Sequence, residues 1–233
     1  GAQALGMGSP WVDAKASVLG GDYTTAQAKK VAGANPGEVD FSAITGNLTI
    51  NNTDVAIGSA ASSAQIVSAI NTAFPEGNVT ASAVSTTHTF TYNSNIANTS
   101  IQVKDSSGAT QTISTGNGTT AKSGADIAAE LDALDGLSAE FDGTDVKITT
   151  DGFDLDVLAD GSGVLFGTVP ATYANAIEIV ADGETLTIAD GGTGAAAALG
   201  LDQTAVDTTM TRQGYISDVS VLTVDAGNES LSI

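Results

Sequence analysis

The residues able to do chemistry in this 233-residue chain are few, and most of them are carboxylates. The sole histidine, His88, sits in a threonine-rich stretch that alternates like a strand, and cysteine is absent. One imidazole without a thiol cannot build the common zinc sites, and no Ser-His-Asp arrangement can be argued around it. His88 therefore reads as a strand-surface histidine. Asp151, Asp154, Asp156 and Asp160 cluster around glycines and offer oxygen ligands of the kind Ca²⁺ takes. Their spacing is not that of an EF-hand loop, and Asp154 and Asp156 fall on one strand face whose neighbours are core residues. Turn chemistry and surface charge account for them. Paired carboxylates could serve a glycosidase, but an acid-rich chain yields such pairs by chance, and no sugar-stacking cleft accompanies these. Gly191, Gly192, Thr193 and Gly194 lack the following lysine and the parallel-sheet pattern of a phosphate loop. They read as a loop before a short helix. Asn-x-Ser/Thr triplets at Asn47, Asn78 and Asn117 are expected in a chain this rich in those residues. The residues point to no catalytic group, no metal ligand, no cofactor and no enzyme.

Charge sharpens that reading. Seven Lys and Arg stand against 27 Asp and Glu, a net charge of −20, and after Lys147 the one basic residue is Arg212. Such a field repels a phosphate backbone or an anionic membrane, so nucleic acid and lipid surfaces are not expected partners. It suits a soluble, hydrated exterior. No apolar run approaches the roughly 18 residues that span a bilayer, and no basic start with an apolar core marks a signal peptide. The chain opens at Gly1 and reads as an excised piece whose targeting information lies elsewhere. Leu, Ile, Val and Phe make about a fifth of it, which predicts small cores rather than a large α/β nucleus. Trp11, Tyr23 and Tyr173 are too scattered in sequence to argue an aromatic platform.

The elements that must position these residues follow from periodicity. Leu48 and Ile50, then Val55 and Ile57, alternate about a polar turn at Asn52 and Thr53, which predicts a β-hairpin. Ser62 or Ser63 can cap a helix whose Ile66, Val67, Ile70 and Phe74 recur at helical spacing. Residues 79–84 and 87–92 alternate as two further strands, giving a β-β-α-β-β unit over 41–92. A second unit spans about 100–167. Ile101 and Val103 precede a turn at 105–108, Ile113 lies in a returning strand, and Ser123 caps a helix with Ile127, Leu131 and Leu134 on its apolar face. Gly136 ends that helix, and strands follow around Asp142-Gly143 and Asp151-Gly152, read as type I′ hairpin turns. A third, abbreviated unit starts near Tyr173, with Ile177, Ile179, Leu186 and Ile188 flanking Asp182-Gly183 and a short helix from Ala195 to Leu199. Residues 24–30 predict a short helix and 33–40 a linker. In 216–233 a strand through Val219 and Val221 gives way to a helix capped by Thr223.

The run LTINNTDVAIG, leading into a helix that carries Ala69, Ile70 and Asn71, resembles the repeat of the variable central region of bacterial flagellins and of flagellar hook-associated proteins. DAKASVLGG at 13–21 is similar to the segment that follows the long N-terminal helices of flagellins. The run AAAALGLD at 195–202 resembles the corresponding piece in flagellins, and Thr223, Asn228 and Leu231 resemble the point where flagellins re-enter their C-terminal helical region. Both ends then look like stubs of a helical stalk, which favours flagellin over the hook-associated proteins.

The expected fold is α+β, mostly β: tandem small β-β-α-β-β modules with short helices packed on hairpins. The expected organisation has stubs and linkers at 1–40 and 205–233, a middle subdomain at 41–97 and 169–204, and an outermost subdomain at 98–168. The resemblance implies the surface-exposed variable part of a filament subunit, extracellular and structural, self-assembling through terminal helices outside this sequence, with glycosylation of Ser or Thr. The piece itself is expected to be monomeric. Two other readings come from different classes: a hook-associated or cap protein, and a cell-surface adhesin or carbohydrate-binding module.

Overall fold

The computed structural model describes residues 24–94, 99–161, 163–183, 185–191, 194–212, 224–225 and 230–231. The architecture is α+β and mostly β, with several small antiparallel sheets and short helices, as the periodicity predicts. The chain divides into two compact units, one formed by Gly1–Gln27 with Thr209–Ile233, the other by Ala28–Thr208. The segments 1–21 and 216–223 lie outside the described residues. In the first unit, Val224 pairs with Leu231 and Asp225 with Ser230, so an antiparallel ladder stands where the sequence predicts a helix after Thr223.

The strand β1 (Thr24–Ala32), which enters the larger unit at Ala28, overturns the helix expected at 24–30. Its strand neighbours decide the matter: Ala28 to Ala32 pair in register with Asp182 to Glu178 of β12 (Ile177–Asp182), and a ladder of this length overrides local helix propensity. Its sheet also contains β4 (Val79–Ala83) and β14 (Val206–Arg212), in the order β14-β1-β12-β4. Asp40 caps a 3₁₀ turn at Phe41–Ala43, accepting from the Ser42 amide.

The hairpin of β2 (Asn47–Ile50) and β3 (Thr53–Ala56) turns at Asn51 and Asn52, whose φ values of 46° and 65° are those of a type I′ turn. Thr53 already belongs to the strand. Among the described residues these two are the non-glycines with positive φ, so the Asp-Gly pairs do not adopt the type I′ form the sequence suggests. Instead the Asp142 carboxylate accepts from the Thr144 and Asp145 amides and leaves the positive φ to Gly143 alone.

Helix α1 (Ser63–Ala73) begins at Ser62, whose hydroxyl accepts from the Gln65 amide while the Gln65 side chain accepts from the Ala61 amide. Two orphan donors are met this way. Ile66 and Ile70 are fully buried and pack on β3 and β4. β13 (Ile188–Asp190) adds to the outer side of β2. β12 and β13 therefore belong to different sheets, and Asp182-Gly183 does not close a hairpin between them.

The second core is built on β6 (Ser100–Lys104), β7 (Thr110–Ser114), β10 (Leu155–Asp160) and β11 (Ala171–Tyr173), in sheet order β11-β10-β6-β7. Beside it lies a three-stranded sheet, β5 (Thr86–Thr91), β9 (Asp145–Thr150) and β8 (Leu137–Phe141). β8 and β9 form the hairpin expected at Asp142-Gly143, whereas Asp151-Gly152 carries the chain from one sheet to another. Helix α2 (Gly124–Asp132) starts with a reciprocal capping box between Ser123 and Asp126, and its Ile127 and Leu131 are fully buried. A Cβ at Gly124 would stand 2.5 Å from the Phe141 ring, so any larger residue there must displace that ring. The third helix, α3 (Ala195–Ala198), is a single turn against β13 and β2.

Candidate functional site

The most structured polar ground in the larger unit is the junction where residues 174–176 leave β11 and enter β12. Leu48, Ile50, Ile66, Ile70, Ile177 and Ile179 belong to one apolar cluster, and Ile101, Ile127, Leu131, Ile148, Leu155 and Phe166 to the other. Asn175 ties the two. Its carbonyl accepts from the Ser63 hydroxyl on α1 at 3.2 Å, and its side-chain Oδ1 accepts from the Thr150 hydroxyl on β9. Its amide donates to Asp154 at 2.9 Å, and the other Asp154 oxygen accepts from the Ser63 amide at 2.8 Å. Next along, the Ala176 amide donates to the Thr86 hydroxyl, which donates to the Val84 carbonyl. Ser63, Thr86, Thr150 and Asn175 are all buried.

His88 stands beside this network, and its position corrects the sequence reading. It is 3 % exposed rather than at the strand surface. The alternation of β5 buries Thr86, His88 and Phe90 and exposes the threonines between them. The imidazole lies 5.6 Å from the Tyr173 ring and 6.3 Å from Phe90, centroid to centroid. The surrounding rings belong to Phe90, Phe166 and Tyr173, packed edge to face about Phe90. Among the described residues, Nε2 of His88 and Nδ2 of Asn175 have no hydrogen-bond partner. Burial lowers the pKa of His88 from its ordinary 6.5, and the negative charge of Asp154 works against that. Burial likewise raises that of Tyr173, helped by Glu38 and Asp160.

The four aspartates weighed for a cation go separate ways. Asp151 accepts from the Ser85 hydroxyl; Asp154 holds the junction; Asp156 pairs with Lys104 at 2.7 Å and accepts from Thr172. Asp160 is buried and accepts from three successive amides, those of Val164, Leu165 and Phe166. Among the described residues no group of three or more His, Cys, Asp or Glu is placed to hold a metal ion. Gly192 and Thr193 lie outside the described residues; Gly191 donates its amide to Asn47, and the helix that follows is four residues long. Asn47 and Asn78 are exposed, and Asn117 accepts from the amides of Thr119 and Thr120 within a tight turn. Trp11 and Tyr23 lie outside the described residues.

Surface hollows lie near these residues. One of about 550 Å³ is walled by Glu38, Asp40, Lys104, Asp156, Leu158 and Thr172. A register shift between Val157 and Ala159 turns Leu158 outward, to 37 % exposure. The second, of about 520 Å³, runs past Tyr92, Lys122, Phe141 and Thr144. Their cations are already engaged, Lys104 with Asp156 and Lys122 with Glu130. The other lysines with described side chains are paired as well: Lys29 with Asp207, Lys30 with Glu178, and Lys147 with Asp142 and Glu140.

Sequence reasoning missed three asparagines that organise this geometry. Asn71 on α1 donates to the Ala81 carbonyl and accepts from the Ala81 amide, at 2.9 and 2.7 Å. Asn51 clips the Thr185 carbonyl and the Thr187 amide in the same manner, and Asn175 forms the junction. The signal available was Asn71 within the Ala-Ile-Asn run, one position past the buried Ile70.

No protein-family model matches the chain, and no curated protein matches it. Among solved structures, it is similar to the flagellar cap protein FliD from Helicobacter pylori, at 11 % identity and a TM-score of 0.26. The match covers 91 % of this chain and 95 % of that one. A superposition that loose fixes neither the fold nor the function of this chain.

Proposed function

We propose that this chain is the solvent-facing, variable part of a bacterial flagellar filament subunit, an extracellular structural protein rather than an enzyme. The observation that carries the reading is the pairing of β1 with β14. The strands by which the chain runs into and out of the larger unit are neighbours in one sheet, and Lys29 on the first is ion-paired with Asp207 on the second. A unit hung on two adjacent strands can be inserted into a stalk without disturbing it. The sequence resemblance at Leu48 to Asn71 supplies the family, and the structure gives those residues a hairpin, a helix and an asparagine clip.

On this reading the work is mechanical and interfacial. The polymerising helices come from outside this sequence, and this piece gives the filament a stiff anionic surface that spaces filaments and presents antigenic or adhesive contacts. The pairing of the described lysines leaves the acidic excess facing solvent. The piece is monomeric, so sedimentation at micromolar concentration shows one protomer.

Immunogold labelling of the source cells, with antibody raised against this chain, tests the proposal. Gold along the whole filament is the expected result. Gold confined to the tip or the hook junction would replace it with a cap or hook-associated protein, and gold on the cell body with an adhesin.

A further inference from the structure

We propose that His88 is a proton-operated latch: a proton taken up at Nε2 unties Asn175 from the two cores it joins. The His88 ring is enclosed by its own strand and by the strands beside it. Along its own strand β5 presents Thr86 and Phe90, and from β9 the buried side chains are Val146, Ile148 and Thr150. Lys147, between them in sequence, pairs with Asp142 and Glu140. From β11 comes Tyr173, with Glu38 and Asp160 acting on it. Just before β10 stands Asp154, the carboxylate that acts on the imidazole. Ser63, at the start of α1, donates its amide to that carboxylate and carries no charge.

A neutral imidazole is at home among those rings. An imidazolium is not, because a buried cation needs a paired anion. Asp154 is the anion to hand, but it makes no hydrogen bond to Nε2, and its two oxygens are held where they are by the amides of Ser63 and Asn175. Protonation therefore has two routes, and both break the tie. Either Asp154 is drawn off those amides toward the imidazolium, or the junction opens and admits water to the ring.

The sign follows from burial. The folded state favours the neutral ring, so the unfolded chain binds the proton first as pH falls below 6.5. Above that value the contribution to stability is complete. It is lost as pH descends through the folded value and then levels, with the closed-to-open ratio falling by at most about tenfold per pH unit. The upper edge of this window, at 6.5, lies above the ordinary carboxylate value of 3.8.

Because the sequence holds one histidine, its ring protons give an unambiguous NMR signal. The intact chain, titrated from pH 7.5 to 5, should show that signal moving with a midpoint below 6.5. The amide signals of Ser63, Asn175 and Ala176 should shift or broaden with the same midpoint, while that of Thr49 in the distant hairpin stays put. A midpoint at the ordinary value, or junction amides that ignore the histidine, would overturn the proposal. In His88→Phe and His88→Gln the junction amides should be flat across that range. A wild-type step surviving in either folded variant would likewise overturn it, and if neither folds the wild-type titration alone decides.

Discussion

The two cores of the larger unit are assembled in the same local order, hairpin then helix then strands, yet they close their loose backbone ends with different chemistry. The core around α1 uses amides. Asn71 meets both backbone groups of Ala81, and Asn51 meets the Thr185 carbonyl and the Thr187 amide. The core around α2 uses carboxylates. Asp160 gathers three amides, Asp105 accepts from Ser107, Ala109 and Gln111, Asp132 from Ala139, and Asp142 from Thr144 and Asp145. An amide offers a donor and an acceptor and never titrates; a carboxylate offers acceptors alone and holds them more strongly while it is ionised. The closures around α1 thus lean on groups indifferent to pH, with Asp40 and Asp154 as exceptions, and those around α2 lean on groups that depend on it.

Asp160→Ala should show the largest effect, because it strips the acceptor from three buried amides at once. At 1–3 kcal/mol for each buried donor left unmet, partly relieved by water, roughly 3–5 kcal/mol is expected in denaturant unfolding. A loss below about 1 kcal/mol would mean that the turn at 161–166 re-forms its bonds elsewhere, and the contrast between the cores would lose its strongest member. Ile70→Ala and Leu131→Ala come next, at about 3 kcal/mol each for truncating a fully buried aliphatic side chain. Hydrogen exchange separates them: Ile70→Ala should deprotect α1 and β4 first, Leu131→Ala α2 and β8. Equal deprotection of both cores by either variant would show them to be one cooperative body. Asn71→Ala should cost about 2 kcal/mol, since two half-buried backbone groups of Ala81 lose their partner. Asn71→Asp at neutral pH should be no better, because a carboxylate cannot donate to the carbonyl.

How far these features were legible in the sequence follows the same division. Alternation at Leu48, Ile50, Val55 and Ile57, and helical spacing at Ile66 and Ile70, placed the first hairpin and helix because one-sided burial imprints a period on the chain. The second helix, from its Ser123 cap to Gly136, was as plain. Long-range pairing was not. Nothing in residues 24–30 announces that β12 lies beside them, and Lys29 and Lys30 in a run of small residues look helical until the ladder claims them. His88 misled for a related reason. Period two tells which residues share a face, but Thr86 and His88 are polar, so the buried face of β5 did not stand out. The junction itself was illegible, since Ser63 at a helix start, Thr150 at a strand end, and Asp154 and Asn175 in loops are ordinary until the fold brings them together.

Acid sharpens the comparison further. Asp105 is held below the ordinary carboxylate value of 3.8 by the Ser107 hydroxyl and then the Gln111 amide. Asp126 is lowered by the Ser123 hydroxyl, and Asp142 by the Asp145 amide and then that of Thr144. The α1 side has one counterpart, Asp40, lowered by the Ser42 hydroxyl. A carboxylate lowered by folding contributes stability that is complete above 3.8 and lost as pH falls through its folded value. Below pH 4 the signals of α2 and the β8–β9 hairpin should therefore weaken before those of α1 and the β2–β3 hairpin. Asp40, Asp126 and Asp142 are exposed and each contribution is small, so the observable is the order of loss. Simultaneous loss would mean that the carboxylate closures are no more acid-sensitive than the amide ones.

The smallest effects sit at the two hairpin tips, where the same contrast is drawn in backbone geometry. At Asp142-Gly143 the carboxylate holds the next two amides, and Gly143 takes a φ of 105° that a side chain tolerates poorly. Gly143→Ala should cost roughly 1–2 kcal/mol, the penalty for a Cβ in left-handed territory. At Asn51-Asn52 two asparagines share the positive φ, and the first is committed to the Thr185 and Thr187 clip. Asn52 is exposed, so only its backbone is at stake. Replacing it gives Asn-Gly, the most favoured pair for a type I′ turn, and Asn52→Gly should stabilise the hairpin by about 0.5 kcal/mol. Asn51→Gly, which relieves the same kind of strain but removes the clip, should destabilise instead. If both substitutions moved stability the same way, the clip at Asn51 would carry no energy, and the case that the first core is closed by its amides would rest on Asn71 alone.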